Sequence, residues 1–224
     1  PYRGLVAIVA AASLLTGAVG AVSLAGVSPA FRELFGITSE EQAKNLGIVQ
    51  MNQVFEDKNG SGATVTVKEA AADQEQFYIL VEFAAPEGTV LPEPDQVEEG
   101  FNRAVLWGGP DGRGIGFGAY RDESCTSFIG SSEAGYAIDY VEDSDPTDNK
   151  MEFIIRGHID PMPKDAAYCL FSGIQSLCMQ YQGEWVTMLD GMDIDLIVPL
   201  VGMGTHYDFQ GRCGVNLNGV TLAV

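Results

Sequence analysis

Two periodicities divide the chain. From Gly4 to Phe31 no charged side chain occurs, and Ala, Val, Leu, Ile and Gly fill nearly every position. A helix of roughly 20 such residues crosses a hydrocarbon core of about 30 Å, so the stretch predicts a transmembrane helix over residues 1–27. A buried helix of a soluble domain would carry polar positions at helical spacing. A cleaved signal peptide is the nearer rival, because Arg3 precedes the run and "AVSLAG" offers small residues near its end. The apolar core is long for a signal, so a retained anchor is expected. The chain begins with Pro1 rather than Met, and further residues are expected ahead of it.

The pattern changes in "SPAFRELFGITSEEQAKNLG". Ser28-Pro29 suits a helix start and Gly36 its end. Thr38 or Ser39 can cap a second helix, Glu40 and Glu41 suit its positive end, and Gly47 stops it. Residues 28–47 therefore read as a short helical connector.

From Val49 the period is two. In "ATVTVKEA" Ala63, Val65 and Val67 share one face, and "QFYILVEF" repeats the alternation with β-branched and aromatic residues. The turn "DKNGSG" and a polar connection "EAAADQEQ" centred on Asp73 punctuate successive antiparallel strands. Further strands are expected in "RAVLWGG", "GIGFGAY", "CTSFIG", "YAIDYVED", "MEFIIRGHI", "CLFSGIQSL", "WVTML", "DIDLIVPL" and "GVNLNGVTLAV". No helical period recurs between them to build parallel units. The expected fold is all-β: an antiparallel immunoglobulin-like β-sandwich over residues 48–204, preceded by the transmembrane helix and the connector. Residues 205–224 are expected to be a terminal strand or the start of a further β domain.

Charge narrows the partners. Asp and Glu number 31 against 12 Lys and Arg, a formal charge of −19. The cations Lys58, Lys68, Arg103, Arg113 and Arg156 are scattered, whereas nucleic-acid binding needs a basic face. Cys125, Cys169, Cys178 and Cys213 all follow the apolar run, and no pair has Cys-x-x-Cys spacing. An even count outside the membrane is compatible with two disulfides in three pairings. Cys169 and Cys178 are closest in sequence, with a Ser-Gly turn signal between them, so a bridge across a hairpin is one candidate.

Motifs for chemistry are sparse. Asp57, Asn59, Ser61 and Gly62 stand at positions one, three, five and six of a calcium loop, but position twelve is Lys68 where a bidentate Glu is needed. "EDSDPTDN", residues 142–149, is oxygen-rich and reads as a solvated loop. "GGPDGRGIGFG" has no helix start after it to present amides to a phosphate, and reads as a hairpin around Ile115 and Phe117. His158 and His206 each have an Asp two residues on, Asp160 and Asp208, but no nucleophile motif accompanies them. Trp107, Tyr120, Trp185 and Tyr207 are candidates for an aromatic platform, with core packing the commoner use of such rings. No catalytic, cofactor-binding or metal-binding residue is expected.

Several stretches together resemble a family of membrane-anchored, anti-sigma-factor-like proteins of Gram-positive bacteria, whose ectodomain is a domain of unknown function. They are the apolar span, "FRELFG", "ATVTVKEAAADQEQFYILVEF", "LDGMDIDLIVPL" and "VNLNGVTLAV". The resemblance implies a sigma-binding part on the cytoplasmic side before the span, which this chain lacks, and no catalytic residues. It implies an extracytoplasmic sensor or scaffold in a single-pass protein of the cell membrane. Its partners would be the membrane, an unknown extracellular ligand or protein, and a sigma factor only through the missing N-terminal part. Arg3 and Arg32 flank the span almost symmetrically, so the cysteines, which an oxidising exterior could pair, set the expected orientation. The rival readings are a surface-exposed adhesion or carbohydrate-binding module and, more remotely, a secreted enzyme.

Overall fold

A computed structural model of the 224-residue chain describes residues 23–91, 104–107, 116–131, 134–141, 145, 147–159, 162–190, 192, 194–201, 205–209 and 212–216. Most of the expected transmembrane span, residues 1–22, lies outside them. Among the described residues no helix is long and apolar enough to cross a membrane. The end of that span belongs to the folded part: Leu24–Gly26 form a 3-10 turn, and Val27 is buried.

Two short helices follow. Helix α1, Pro29–Phe35, is capped by the Ser28 hydroxyl, which accepts from Phe31 N, and ends at Gly36, whose φ of 61° suits glycine. Helix α2, Glu40–Asn45, opens with a capping box between Ser39 and Gln42. Both helices fall where the caps predict them.

The strands are β1 Val49–Glu56, β2 Thr64–Ala72, β3 Gln76–Ala84, β4 Ala104–Trp107, β5 Gly116–Tyr120, β6 Phe128–Ser131 and β7 Ala134–Val141. They continue as β8 Lys150–Ile159, β9 Tyr168–Ile174, β10 Ser176–Tyr181, β11 Glu184–Leu189, β12 Ile194–Pro199, β13 Thr205–Phe209 and β14 Arg212–Asn216. Every pairing is antiparallel. One sheet has the order β1-β2-β3-β8-β7, a second β12-β9-β5-β6 and a third β11-β10-β4, while β13 and β14 form a hairpin.

The expected all-β antiparallel architecture is therefore present. Alternation carries Phe77, Ile79, Val81 and Phe83 of β3 and Met151, Phe153 and Ile155 of β8 into one core with Phe171, Leu196 and Val198 from the second sheet. At its centre Phe171 meets Phe77 and Phe117 edge to face, with centroids 4.7 and 4.8 Å away. A small cavity of about 20 Å³ lies among Val67, Val81, Phe153, Leu177 and Leu196. It is walled by hydrocarbon that offers a water no hydrogen bond, and small-molecule sites run to about 300 Å³ or more.

Strand β2 serves two cores. Val65 and Val67 face the second sheet, as do Ala70 and Ala72, so the alternation shifts by one between them. The cause is a bulge at Lys68: Val67 pairs Val81 while Glu69 already pairs Leu80. Beyond the bulge, Ala71 turns its side chain to the helices. The three alanines, expected in a polar connection, are thus strand residues buried on both faces. The turn is confined to Asp73–Glu75, where Asp73 Oδ1 accepts from the amides of Glu75 (2.8 Å) and Gln76 (2.7 Å).

"CLFSGIQSL" also departs from expectation. It holds two strands, but they do not pair with each other: β9 joins β12 and β5, and β10 joins β11 and β4. Gly173, at φ 82°, forms a bulge in β9, where Ser172 and Gly173 together face the single Asp195 of β12, and Asp195 Oδ1 accepts from its amide at 3.3 Å.

Candidate functional site

The junction between the uncharged stretch and the sheet has the most unusual chemistry. Val27, Ala30, Phe31, Phe35, Ile37, Ala43, Leu46 and Ile48 pack with Ala71, Leu80 and Ile154 on the face of the five-stranded sheet opposite the main core. Phe35 stacks edge to face between Phe31, at 5.4 Å, and Tyr78, at 5.0 Å. Small Ala71 lets the helices approach the sheet closely.

Inside this apolar layer sits a carboxylate. Glu69 is 3% exposed and is the one buried charged residue among those described. Its Oε1 accepts from Ser28 N at 2.8 Å and from Gln50 Nε2 at 2.9 Å, and its Oε2 accepts from Ser28 Oγ at 2.9 Å. Gln50 Nε2 also reaches Gly26 O at 2.9 Å. Burying a carboxylate is costly unless donors replace its water, and here amide, hydroxyl and carboxamide do so. The same Ser28 hydroxyl caps α1, so one side chain fixes both the helix start and its place on the sheet. Arg32 shows the opposite condition: its Nε is buried with no hydrogen-bond partner among the described residues.

Beside the helices the same sheet face is ionic. Lys68 bonds Glu152 and lies 3.5 Å from Glu82, which Lys150 meets at 3.0 Å. Burial opposes the Lys68 charge, but Glu152 and Glu82 outweigh it and raise its pKa.

The residues singled out from sequence are dispersed. Asp57 uses both carboxylate oxygens on the amides of Asn59 (2.9 Å) and Ser61 (3.2 Å) in the β1–β2 turn. Asn59 Nδ2 donates to Asp190 O at 2.8 Å. Asp145 accepts from the amide and hydroxyl of Thr147, and Asp148 from Lys150 N; residues 142–144 and 146 lie outside the described residues. In "GGPDGRGIGFG" residues 108–115 lie outside them, and Phe117 belongs to β5. His158 is an exposed residue of β8 opposite Gly135, whereas Asp160 and the side chains of His206, Asp208, Trp107 and Tyr207 lie outside the described residues. Tyr120 packs on Phe128 in the second sheet, and Trp185 is half-exposed on β11 in the third, so these two do not share a platform.

Cys125, Cys169 and Cys178 are free thiols, and the Cys213 side chain lies outside the described residues. Cys169 and Cys178 stand in different sheets, and Cys178 contacts Thr187 Oγ1 at 3.5 Å. Burial, together with the charge of Cys125, pushes the Cys169 thiol up to about 12. Among the described residues no three His, Cys, Asp or Glu side chains converge as a metal site would require.

Sequence reasoning missed Glu69 and Gln50. The available signal was a charge pair, Lys68-Glu69, interrupting the alternation that Val65 and Val67 establish. Comparison with known protein families, curated proteins and solved structures gives no match.

Proposed function

We propose that the chain is the extracytoplasmic, non-catalytic sensor or scaffold half of a membrane-anchored anti-sigma-factor-like protein, with an immunoglobulin-like sandwich following a single membrane span. The junction carries this reading. Val27, Ala30 and Phe31, at the end of the uncharged stretch, are buried against the sheet, and Ser28 is bonded to Glu69. A span that runs into a packed helix passes its orientation to the sheet, whereas a free linker would lose it. Residues 4–23 remain for the span, and about 20 residues suffice. The meander β1-β2-β3 followed by the returning β8-β7 pair supports the sandwich class. The partners are the bilayer, an extracytoplasmic ligand or protein, and a sigma factor held by a cytoplasmic segment ahead of the span. A charge of −19 disfavours nucleic acid.

Two measurements on the full chain in a Gram-positive host test this. Alkaline carbonate should leave the protein in the membrane pellet. A Ser61→Cys variant, in an exposed turn, should react with a membrane-impermeant maleimide on protoplasts more strongly than the unsubstituted chain. Recovery in the medium, or labelling only after lysis, overturns the reading.

A second reading, a surface adhesion or carbohydrate-binding module, is favoured by Trp185, which is 51% exposed beside Val186 on the edge strand β11. Retention on cell-wall polysaccharide that Trp185→Ala abolishes would support it.

A further inference from the structure

We infer that residues 28–46 are a releasable strap, held on the five-stranded sheet by the Glu69 carboxylate and able to leave while both sheets stay folded. The two helices hold seven and six residues, and isolated helices under about 12 residues are marginal in water. Their order therefore depends on docking. The main core is complete without them, because it draws on both sheets and contains no residue of α1 or α2. Release would open a boundary that already exists between two clusters, without cutting through either sheet.

The strap is held and opposed at once. Phe31, Phe35 and Leu46 bury apolar surface, and Glu69 takes two bonds from Ser28. Against this, docking strands the Arg32 Nε without a partner among the described residues, and an unsatisfied buried donor costs more than an ordinary hydrogen bond contributes. An element that packs through a cluster of its own and carries an internal opposing contact is one whose release a signal can bias. Released, the strap uncovers Ala71, Leu80 and Ile154 as an apolar patch beside the Lys68–Glu152 pair. The use of this release rests on the sensor reading. The release itself does not, since it is measured on the folded chain whether or not residues 4–23 span a bilayer, which carbonate extraction reads separately.

Hydrogen exchange of the full chain in mild detergent, resolved by peptide, is the test. In the unsubstituted protein, the amides of Arg32, Ile37, Ala43 and Leu46, all bonded within the strap, should exchange at least about 100-fold faster than those of Leu80 and Ile154 in β3 and β8. Glu69→Gln keeps the side-chain shape and removes the charge, and should speed the strap about tenfold further while β3 and β8 stay unchanged. Arg32→Met removes the stranded Nε and should slow the strap several-fold. Equal protection of strap and sheet, a Glu69→Gln effect spread evenly over both, or an Arg32→Met variant that exchanges as fast as the unsubstituted chain or faster, overturns the inference.

Discussion

The ring of Phe77 lies against the bare backbone of Gly157, its Cζ only 2.6 Å from where a Cβ on that glycine would stand. On the other side the Gly135 carbonyl oxygen is 2.1 Å from the same point. Neighbouring pairs near the ends of β3, β8 and β7 thus close around a position that admits hydrogen alone. Gly157→Ala should lower stability by about 1–3 kcal/mol, the usual cost of overpacking. The urea midpoint reports it, and a change under about 0.5 kcal/mol would mean that the three strands yield easily there.

Phe171 joins the two large sheets. It is 3% exposed and touches Phe77 and Phe117 with its ring. Phe171→Ala should cost about 3–5 kcal/mol, and Phe171→Leu clearly less. Equal losses for the two variants would show that the edge-to-face ring contacts, and not the filled volume, carry the cost.

Acid should act through exposed aspartates. The Asp122 carboxylate is held well below the usual range, first by the Ser124 hydroxyl and then by the Thr126 and Ser127 amides. A folded pKa below the unfolded value of about 3.9 gives stability that is present above that value and lost as pH falls toward the folded one. Asp122→Asn should therefore be less stable than the unsubstituted chain near pH 6, with the gap closing below about pH 4. Chemical denaturation at both pH values checks this; a gap that is constant with pH rules it out.

Thiol reactivity should follow burial. With its pKa pushed up to about 12, Cys169 carries almost no thiolate at pH 8, and only the thiolate attacks. Iodoacetamide on the native protein should modify the half-buried Cys178 and leave Cys169 intact until denaturant is added. Mass mapping of the alkylated peptides decides, and early modification at Cys169 would show that the core around Ala119 opens readily.

What could be read along the chain is what short-range chemistry determines. Ser28, Pro29 and Gly36 bound α1, and Ser39 with Gln42 starts α2, because a cap is a contract between residues three positions apart. Alternation in Thr64–Val67 and Phe77–Phe83 marked buried faces for the same reason. The site was hidden because Ser28 and Glu69 stand 41 positions apart. Moreover, the bulge at Lys68 moves Glu69 off the phase that Val65 and Val67 establish. Alanine's weak strand propensity made Ala70–Ala72 look like a connection, although cores on both faces hold them in β2. Gly173 looked like the middle of a hairpin because a glycine marks a bend without saying where the next strand pairs.

The bulge at Lys68 does not stand alone. In β1 the pairing skips from Gln50, opposite Glu69, to Gln53, opposite Val67, so two residues of β1 face the single Lys68, with Asn52 at φ 50°. Each strand from β3 outward is therefore one residue longer than its neighbour across the same interval. Loss of the Lys68 codon alone would straighten β2 against β3 yet leave β1 two residues too long for it. Loss of the Asn52 codon as well would leave one surplus residue, as β1 has now. Length changes in these strands are thus coupled across the sheet, and a single-residue deletion in β2 should be rescued by a second one in β1 better than by any substitution.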